Sequence, residues 1–356
     1  MRSHFGLAPG SGFLLDQAHL RKGLDTMKQL GVHWIRSTIP WQNIQPEPNG
    51  PFNWKGVDAL AATLRMPQYR GQFSLIVTFE APPRWALAKS RIKHVDCGSQ
   101  PPFDLGQYAH ALAALAGHLK ATAHVFEVEN SPNIARRGPR HADPFTVWST
   151  PNPCAYAKLM TLTTAAVHHA QPGATVLVGG IGGTQDVPRQ RMAADEFLYG
   201  LYLNHAKFDG VAYHPYSTPD LPCAPSKPVC TYDSNTKIKD HYGMRNGWDR
   251  MLNARRVMVA FGDANKKMYI TEFGGPTKGP RGKALSEAQQ ANLLTAGFQR
   301  ASQYPWIEEM SWFTFDDRGG DPQADPGGGW MGLIRANGTH KPSFGAYQRL
   351  SRAAKA

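Results

Sequence analysis

Apolar residues in this chain collect into eight short runs, at 5–7, 33–39, 73–79, 124–129, 175–179, 208–214, 268–272 and 310–315. Near-continuous apolar runs of this length predict strands covered on both faces, as in a parallel sheet. Between them the apolar positions recur at helical spacing, over 15–30, 54–64, 105–120, 155–169, 189–206, 247–261, 286–302 and 344–350. Helix boundaries are written into several of these stretches. Ser286 with Gln289 three residues on predicts a capping box, and Gly31 and Gly71 fall where helices should stop. Eight strand-helix pairs in one chain predict an α/β fold, a (β/α)8 TIM barrel forming a single domain over 1–356. An open doubly wound sheet is the competing arrangement. The first strand is followed by no Gly-x-Gly-x-x-Gly turn that would support it.

In such a barrel the last residues of each strand surround one mouth, where active sites lie. The long irregular segments, 82–103, 134–153, 218–245 and 316–330, all follow strands, so they gather at that same face. The strand ends supply Arg36 and Trp41, Glu80 and Trp85, Glu127, Glu129 and Asn130, His214 and Tyr216, Glu272, then Trp312 and Asp316. Carboxylates for acid-base and nucleophilic work, polar groups for hydroxyls and flat aromatic faces make this a ring suited to sugars. Trp34, Trp54 and Trp306 sit where core packing is the expected role.

Composition supports a large core: 41% of the 356 residues are hydrophobic and only 19% charged. No apolar run approaches the roughly 20 residues of a membrane span. Met1–His4 leads straight into the first strand, so no signal peptide stands in this sequence. Cysteine usage nevertheless predicts a secreted or periplasmic protein. Cys223 and Cys230 flank a proline-rich loop suited to a disulfide, and Cys97 with Cys154 is a second candidate pair, against two separate buried thiols. No cysteine-histidine spacing suggests a metal, and no cofactor is expected. The net charge of +12 raises the question of nucleic acid, but Lys and Arg are scattered, with short runs only at 135–140 and 278–283. Both runs follow strands that carry candidate catalytic groups. Ordinary solvated loop charges are the leading reading of them, with a cleft for an acidic glycan as the alternative. The expected partner is a polysaccharide or oligosaccharide, with no nucleic acid, and the chain is expected to act as a monomer.

Four motifs in order carry a family resemblance. They are Phe126-Glu127-Val128-Glu129-Asn130-Ser131-Pro132-Asn133, His214-Pro215-Tyr216, Thr271-Glu272-Phe273-Gly274, and Trp312 followed by Gly332-Leu333-Ile334 and Gly338-Thr339-His340-Lys341-Pro342-Ser343. The chain resembles clan A glycoside hydrolases along almost its whole length, family 39 and its endo-acting bacterial relatives first and family 5 next. The resemblance implies a retaining mechanism with Glu272 as nucleophile, Asn130 on the sugar 2-hydroxyl, and His214 and Tyr216 orienting Glu272. Long loops and the lack of an added β-domain after the eighth strand predict endo action on a β-linked polysaccharide.

One position departs from the family pattern. Ser131 stands where a second glutamate would protonate the leaving oxygen. A hydroxyl is no proton donor near neutral pH, and a general acid supplies about 10²–10⁴ in rate. Four explanations stand side by side. The serine is a replacement introduced to trap substrate; another acid has taken over, with Glu129 and Glu127 on the same face as 131 by period-two alternation and Glu80 on the next strand; the substrate carries a leaving group needing no proton; or the barrel binds glycans without cleaving them.

Overall fold

The computed structural model describes residues 4–10, 13–87, 101–135, 148, 150–222, 247–279, 284–317 and 328–354. Eight strands, β1 (Phe5–Ala8), β2 (Trp34–Pro40), β3 (Ser74–Glu80), β4 (Val125–Asn130), β5 (Thr175–Gly182), β6 (Gly210–His214), β7 (Lys267–Phe273) and β8 (Ile307–Phe313), lie parallel in chain order. The sheet closes where β1 pairs with β8. Around it run α1 (Gln17–Leu30), the one-turn α2 (Trp41–Ile44), α3 (Lys55–Leu64), α4 (Leu105–Leu119), α5 (Pro153–Ala170), α6 (Ala194–Leu203), α7 (Gly247–Ala260), α8 (Glu287–Ala301) and α9 (Pro342–Ala353). This is the expected (β/α)8 barrel.

Burial explains why the strands read as apolar runs: every residue of β2 and all but the first of β3 and β5 are covered. Side chains that point outward meet the helices in one continuous apolar layer. Those that point inward form a separate plug of Trp34, Ile76, Val125, Leu177, Ala212 and Tyr269, one from each of β2 to β7, at the strand starts. The plug shuts the barrel floor, so the interior opens only at the strand ends. Trp34 is thus core, as its position in the sequence predicts.

The predicted helix signals at Ser286 and Gly31 are present, whereas Gly71, at φ +73°, lies in the turns between α3 and β3 because α3 already ends at Leu64. Ser286 accepts from the Gln289 N–H while the Gln289 side chain accepts from the Ser286 N–H, a complete capping box. Gly31 ends α1 at φ +78°, a conformation that costs glycine nothing. Several boundaries differ from expectation, β5 running on to Gly182 past 179 and α9 spanning Pro342–Ala353 and not 344–350. The strand predicted at 310–315 starts earlier, at Ile307, because Glu308 and Glu309 break the apolar run although Glu309 is buried inside the barrel. The helix predicted over 189–206 is shorter, because Arg191 pairs with Ile134 and Val187 ahead of α6. Much of the irregular chain at the mouth lies outside the described residues. So do Cys97, Cys223, Cys230 and all arginines and lysines of the two basic runs except Lys278.

Candidate active site

Simple alternation along a strand would aim Glu272 away from the barrel interior, since Tyr269 and Thr271 of β7 already face in. A bulge reverses it. Ile270 pairs with Met310 and Phe273 with Trp312, so three steps on β7 oppose two on β8. The extra residue turns Glu272 into the mouth and sends Phe273 outward against Gly297 of α8 and the Trp248 ring.

A second reversal occurs on β4. Glu127 faces in, but Glu129 takes φ +61° and Ser131 φ +49°. The positive φ breaks the period of two, so Asn130 takes the inward place. Glu129 lies beside the phenols of Tyr108 on α4 and Tyr156 on α5. The expectation that Glu129 shares a face with position 131 is therefore corrected. The chain after β4 is clasped to β5: the Ser131 N–H donates to the Gly180 carbonyl at 3.1 Å. Asn133, fully buried, accepts from the Gly182 N–H at 2.9 Å and donates to the carbonyls of Gly182 and Met192, both at 2.9 Å.

Between floor and mouth lies a layer of polar side chains centred on Arg36. Its Nε and Nη2 donate to Glu127 at 2.9 and 3.1 Å, its Nη1 to Glu272 at 2.7 Å, and Nη2 also to Asn130 Oδ1 at 2.8 Å. Glu127 further accepts from Thr78 at 2.8 Å, from Thr271 at 3.3 Å and from the Gly180 N–H at 2.7 Å. That amide contact explains the glycine: a Cβ at position 180 would lie 2.0 Å from His214 Nε2 and 2.8 Å from Glu127. Glu127 is thus a buried acceptor for the whole layer, while Glu272 keeps 13% of its side chain exposed. Tyr216 donates to Glu272 Oε2 at 2.9 Å, and His214 Nδ1 stands 3.5 Å from the same oxygen. Removing one member of a buried charge group typically costs about 3–5 kcal/mol, because its partners stay buried without it.

Titration follows from this burial. Desolvation would lower Arg36, but the charges of Glu127 and Glu272 more than offset it and hold the guanidinium above its ordinary range. His214 is pushed down from 6.5 to about 3, first by burial and then by Arg36, with Glu127 opposing. The imidazole is therefore neutral at physiological pH. Burial pushes Glu309, which accepts from Ser311 at 2.8 Å, well above the usual carboxylate range.

The His214 shift predicts an acid-side loss of stability. Between pH 6.5 and about 3 the unfolded chain binds a proton at this position and the folded chain does not. Its contribution is thus fully present above pH 6.5 and falls by about 1.4 kcal/mol per pH unit as the pH drops through that window. Urea unfolding at pH 7, 6 and 5 checks this: His214→Gln should show a shallower loss than the wild type.

Two other expected site residues are corrected. Trp41 is fully buried and packs against the rings of Phe79, Trp85, Phe103 and Tyr108, so it supports the loops after β2 and β3 and offers no face to a sugar. Trp312 is likewise fully buried, edge-on to Phe273, with Nε1 donating to the Met331 carbonyl at 3.0 Å. Glu309 and Ser311 occupy the inward places of β8, and the next, Phe313, is the partly exposed aromatic there. Trp85 is half-buried, its Nε1 donating to the Gln45 carbonyl at 3.2 Å. Glu80 faces in from β3, 2% exposed, and accepts from Thr38 at 2.9 Å. Arg36, Asn130, His214, Tyr216 and Glu272 are the predicted residues that the fold does bring together.

Sequence reasoning passed over Thr78, Thr271 and Gly180, which complete the polar layer. It also passed over Trp330. The Trp330 carbonyl accepts from the Thr277 N–H at 3.0 Å and from Lys341 Nζ at 3.1 Å, and Lys278 Nζ lies 3.9 Å from its ring centroid. Lys341, buried against Asp317 at 2.8 Å, also donates to Thr277 Oγ1 at 3.0 Å and so ties the chain after β8 to the chain after β7.

No protein-family profile and no curated protein sequence matches the chain. Solved structures do match. A family 39 glycoside hydrolase from Bacteroides cellulosilyticus WH2 aligns over 99% of this chain and 64% of its own, with TM-score 0.68 and 16% identity. A family 39 β-xylosidase from Caulobacter crescentus aligns over 99% and 72%, with TM-score 0.66 and 20% identity. A GH5_18 protein from Streptomyces cattleya, solved in complex with GlcNAc, aligns over 99% and 81%, with TM-score 0.67 and 16% identity. The chain thus spans just under two thirds of the first of these. Its fold is the fold of family 39 and family 5 glycoside hydrolases, as the motifs imply.

Proposed function

We propose that this chain is a retaining glycoside hydrolase in which Glu272 is the nucleophile. The observation that carries this reading is the β7 bulge, which turns Glu272 into the barrel mouth, where Arg36 and Tyr216 hold both carboxylate oxygens. A nucleophile of this kind needs a fixed line of attack on the anomeric carbon, and two donors on opposite oxygens supply it. Asn130, fixed by Arg36, is suited to the sugar 2-hydroxyl. Neutral His214 packs behind Glu272 without adding a second positive charge beside Arg36.

Ser131 occupies the acid/base position in this reading. The burial of Glu129 beside two tyrosines gives no support to its serving as a substitute acid. A secreted or periplasmic location stays part of this reading, on the candidate cysteine pairs of the sequence, whose members Cys97, Cys223 and Cys230 lie outside the described residues. The test is covalent capture. Incubation with a panel of 2-deoxy-2-fluoro-β-glycosyl fluorides should add one sugar per chain by mass spectrometry, mapped to the peptide containing Glu272. A chain that binds glycans yet takes no label from any donor is a glycan-binding barrel, and the reading fails.

A further inference from the structure

The carboxylates around the mouth differ sharply in access. Glu127 and Glu129 are wholly buried, Glu80 is 2% exposed and Glu309 is sealed within the barrel. Asp317 is buried against Lys341 at 2.8 Å. Asp316 lines a groove between α1 and the chain after β8, with Phe13, His19 and Arg335. Among the described residues Glu272 is thus the carboxylate of the inner ring that a ligand can reach, and the imidazole nearest to it is neutral. Ser131, clasped to β5 and partly exposed, places a hydroxyl at the end of β4. Among the described residues, the site therefore pairs a well-held carboxylate at Glu272 with a hydroxyl, and not a second reachable carboxylate, at the end of β4.

We infer that this barrel acts on glycosides whose leaving oxygen departs as a stable anion, namely glycosyl phosphates, acyl glycosides or glycosides of strongly acidic phenols, and not on unactivated sugar-sugar linkages. The inference rests on the proposed role of Glu272 and narrows the expected polysaccharide substrate. A Glu272 oxygen forms a bond to C1 while the C1–O bond to the leaving group breaks. The electron pair stays on the phosphate, carboxylate or phenolate oxygen, which takes up no proton. Water then attacks C1, the Glu272 carboxylate leaves with its bonding pair, and the proton lost by the water passes to solvent. No oxidant or reductant takes part. Among the described residues the second step has no reachable carboxylate to act as general base either, so the glycosyl-enzyme is expected to accumulate.

The test uses the whole chain with matched donors of gluco, galacto, manno and xylo configuration: 2,4-dinitrophenyl, phenyl and acetyl β-glycosides, β-glycosyl phosphates and the corresponding disaccharides. For the accepted sugar, kcat/KM should fall by at least about 10²-fold from dinitrophenyl to phenyl glycoside, the factor a missing acid leaves uncompensated. Disaccharides should be inert, and the rate should show no alkaline limb belonging to an acid. The faster of the phosphate and acetyl donors identifies the natural leaving group. Azide should give a β-glycosyl azide by intercepting the accumulated intermediate. Labelling of Glu272 combined with disaccharide cleavage and a shallow leaving-group dependence overturns this inference and leaves the nucleophile standing. Absence of any label overturns both.

Discussion

Glu272→Gln should lower kcat/KM for dinitrophenyl glycosides by about 10⁴-fold or more, the scale on which losing a nucleophile acts. The amide is close in shape to the carboxylate and can still accept from Arg36 or Tyr216, so the mouth keeps its geometry while the attacking oxygen loses its charge. The leaving group makes no difference to this loss, because every donor passes through the same bond to C1. Two measurements separate chemistry from misfolding: steady-state kinetics with the activated donor, and a thermal melt that should show an intact cooperative transition. Retention of more than a tenth of the activity would move the nucleophile elsewhere.

Ser131→Glu should act in the opposite direction and selectively. Phenyl glycosides and disaccharides should gain about 10²–10⁴ in kcat/KM, the range of a general acid, while dinitrophenyl glycosides change little. The backbone is prepared for the substitution: Ser131 already holds φ +49°, and its N–H bond to Gly180 and the Asn133 clasp are independent of the side chain at 131. A glutamate there pays much the same backbone cost as the serine does. A bell-shaped pH profile should replace one without an alkaline limb. Equal gains on activated and unactivated donors would mean that position 131 acts on binding and not on proton transfer.

How legible the chain is from sequence depends on which physical signal one follows. The strands are visible because a parallel barrel buries both their faces, which writes apolar runs, and the capping box and Gly31 are visible because helix ends have fixed chemistry. Side-chain direction is where the reading fails. Glu129 looks like a neighbour of position 131 only while alternation holds, and a positive φ at Glu129 ends it. Trp312 looks like a cleft platform until Glu309 and Ser311 are seen to take the inward places of β8. Trp41 lies just beyond a strand end, yet it turns back into the aromatic cluster beneath the loops. The polar layer was hidden for a related reason. Thr78 and Thr271 interrupt apolar strands and resemble solvent-facing positions, although both are fully buried and donate to Glu127 beside the Arg36 guanidinium.

That guanidinium sets an electrical ledger for the catalytic cycle. In the resting barrel Arg36 is shared between two carboxylates, Glu127 and Glu272, so the trio carries one negative charge more than it balances. Once a sugar is esterified to Glu272, that carboxylate becomes neutral and Arg36 is left matched one-to-one with Glu127. In the proposed covalent state the pairing around Arg36 would thus change from two carboxylates to one.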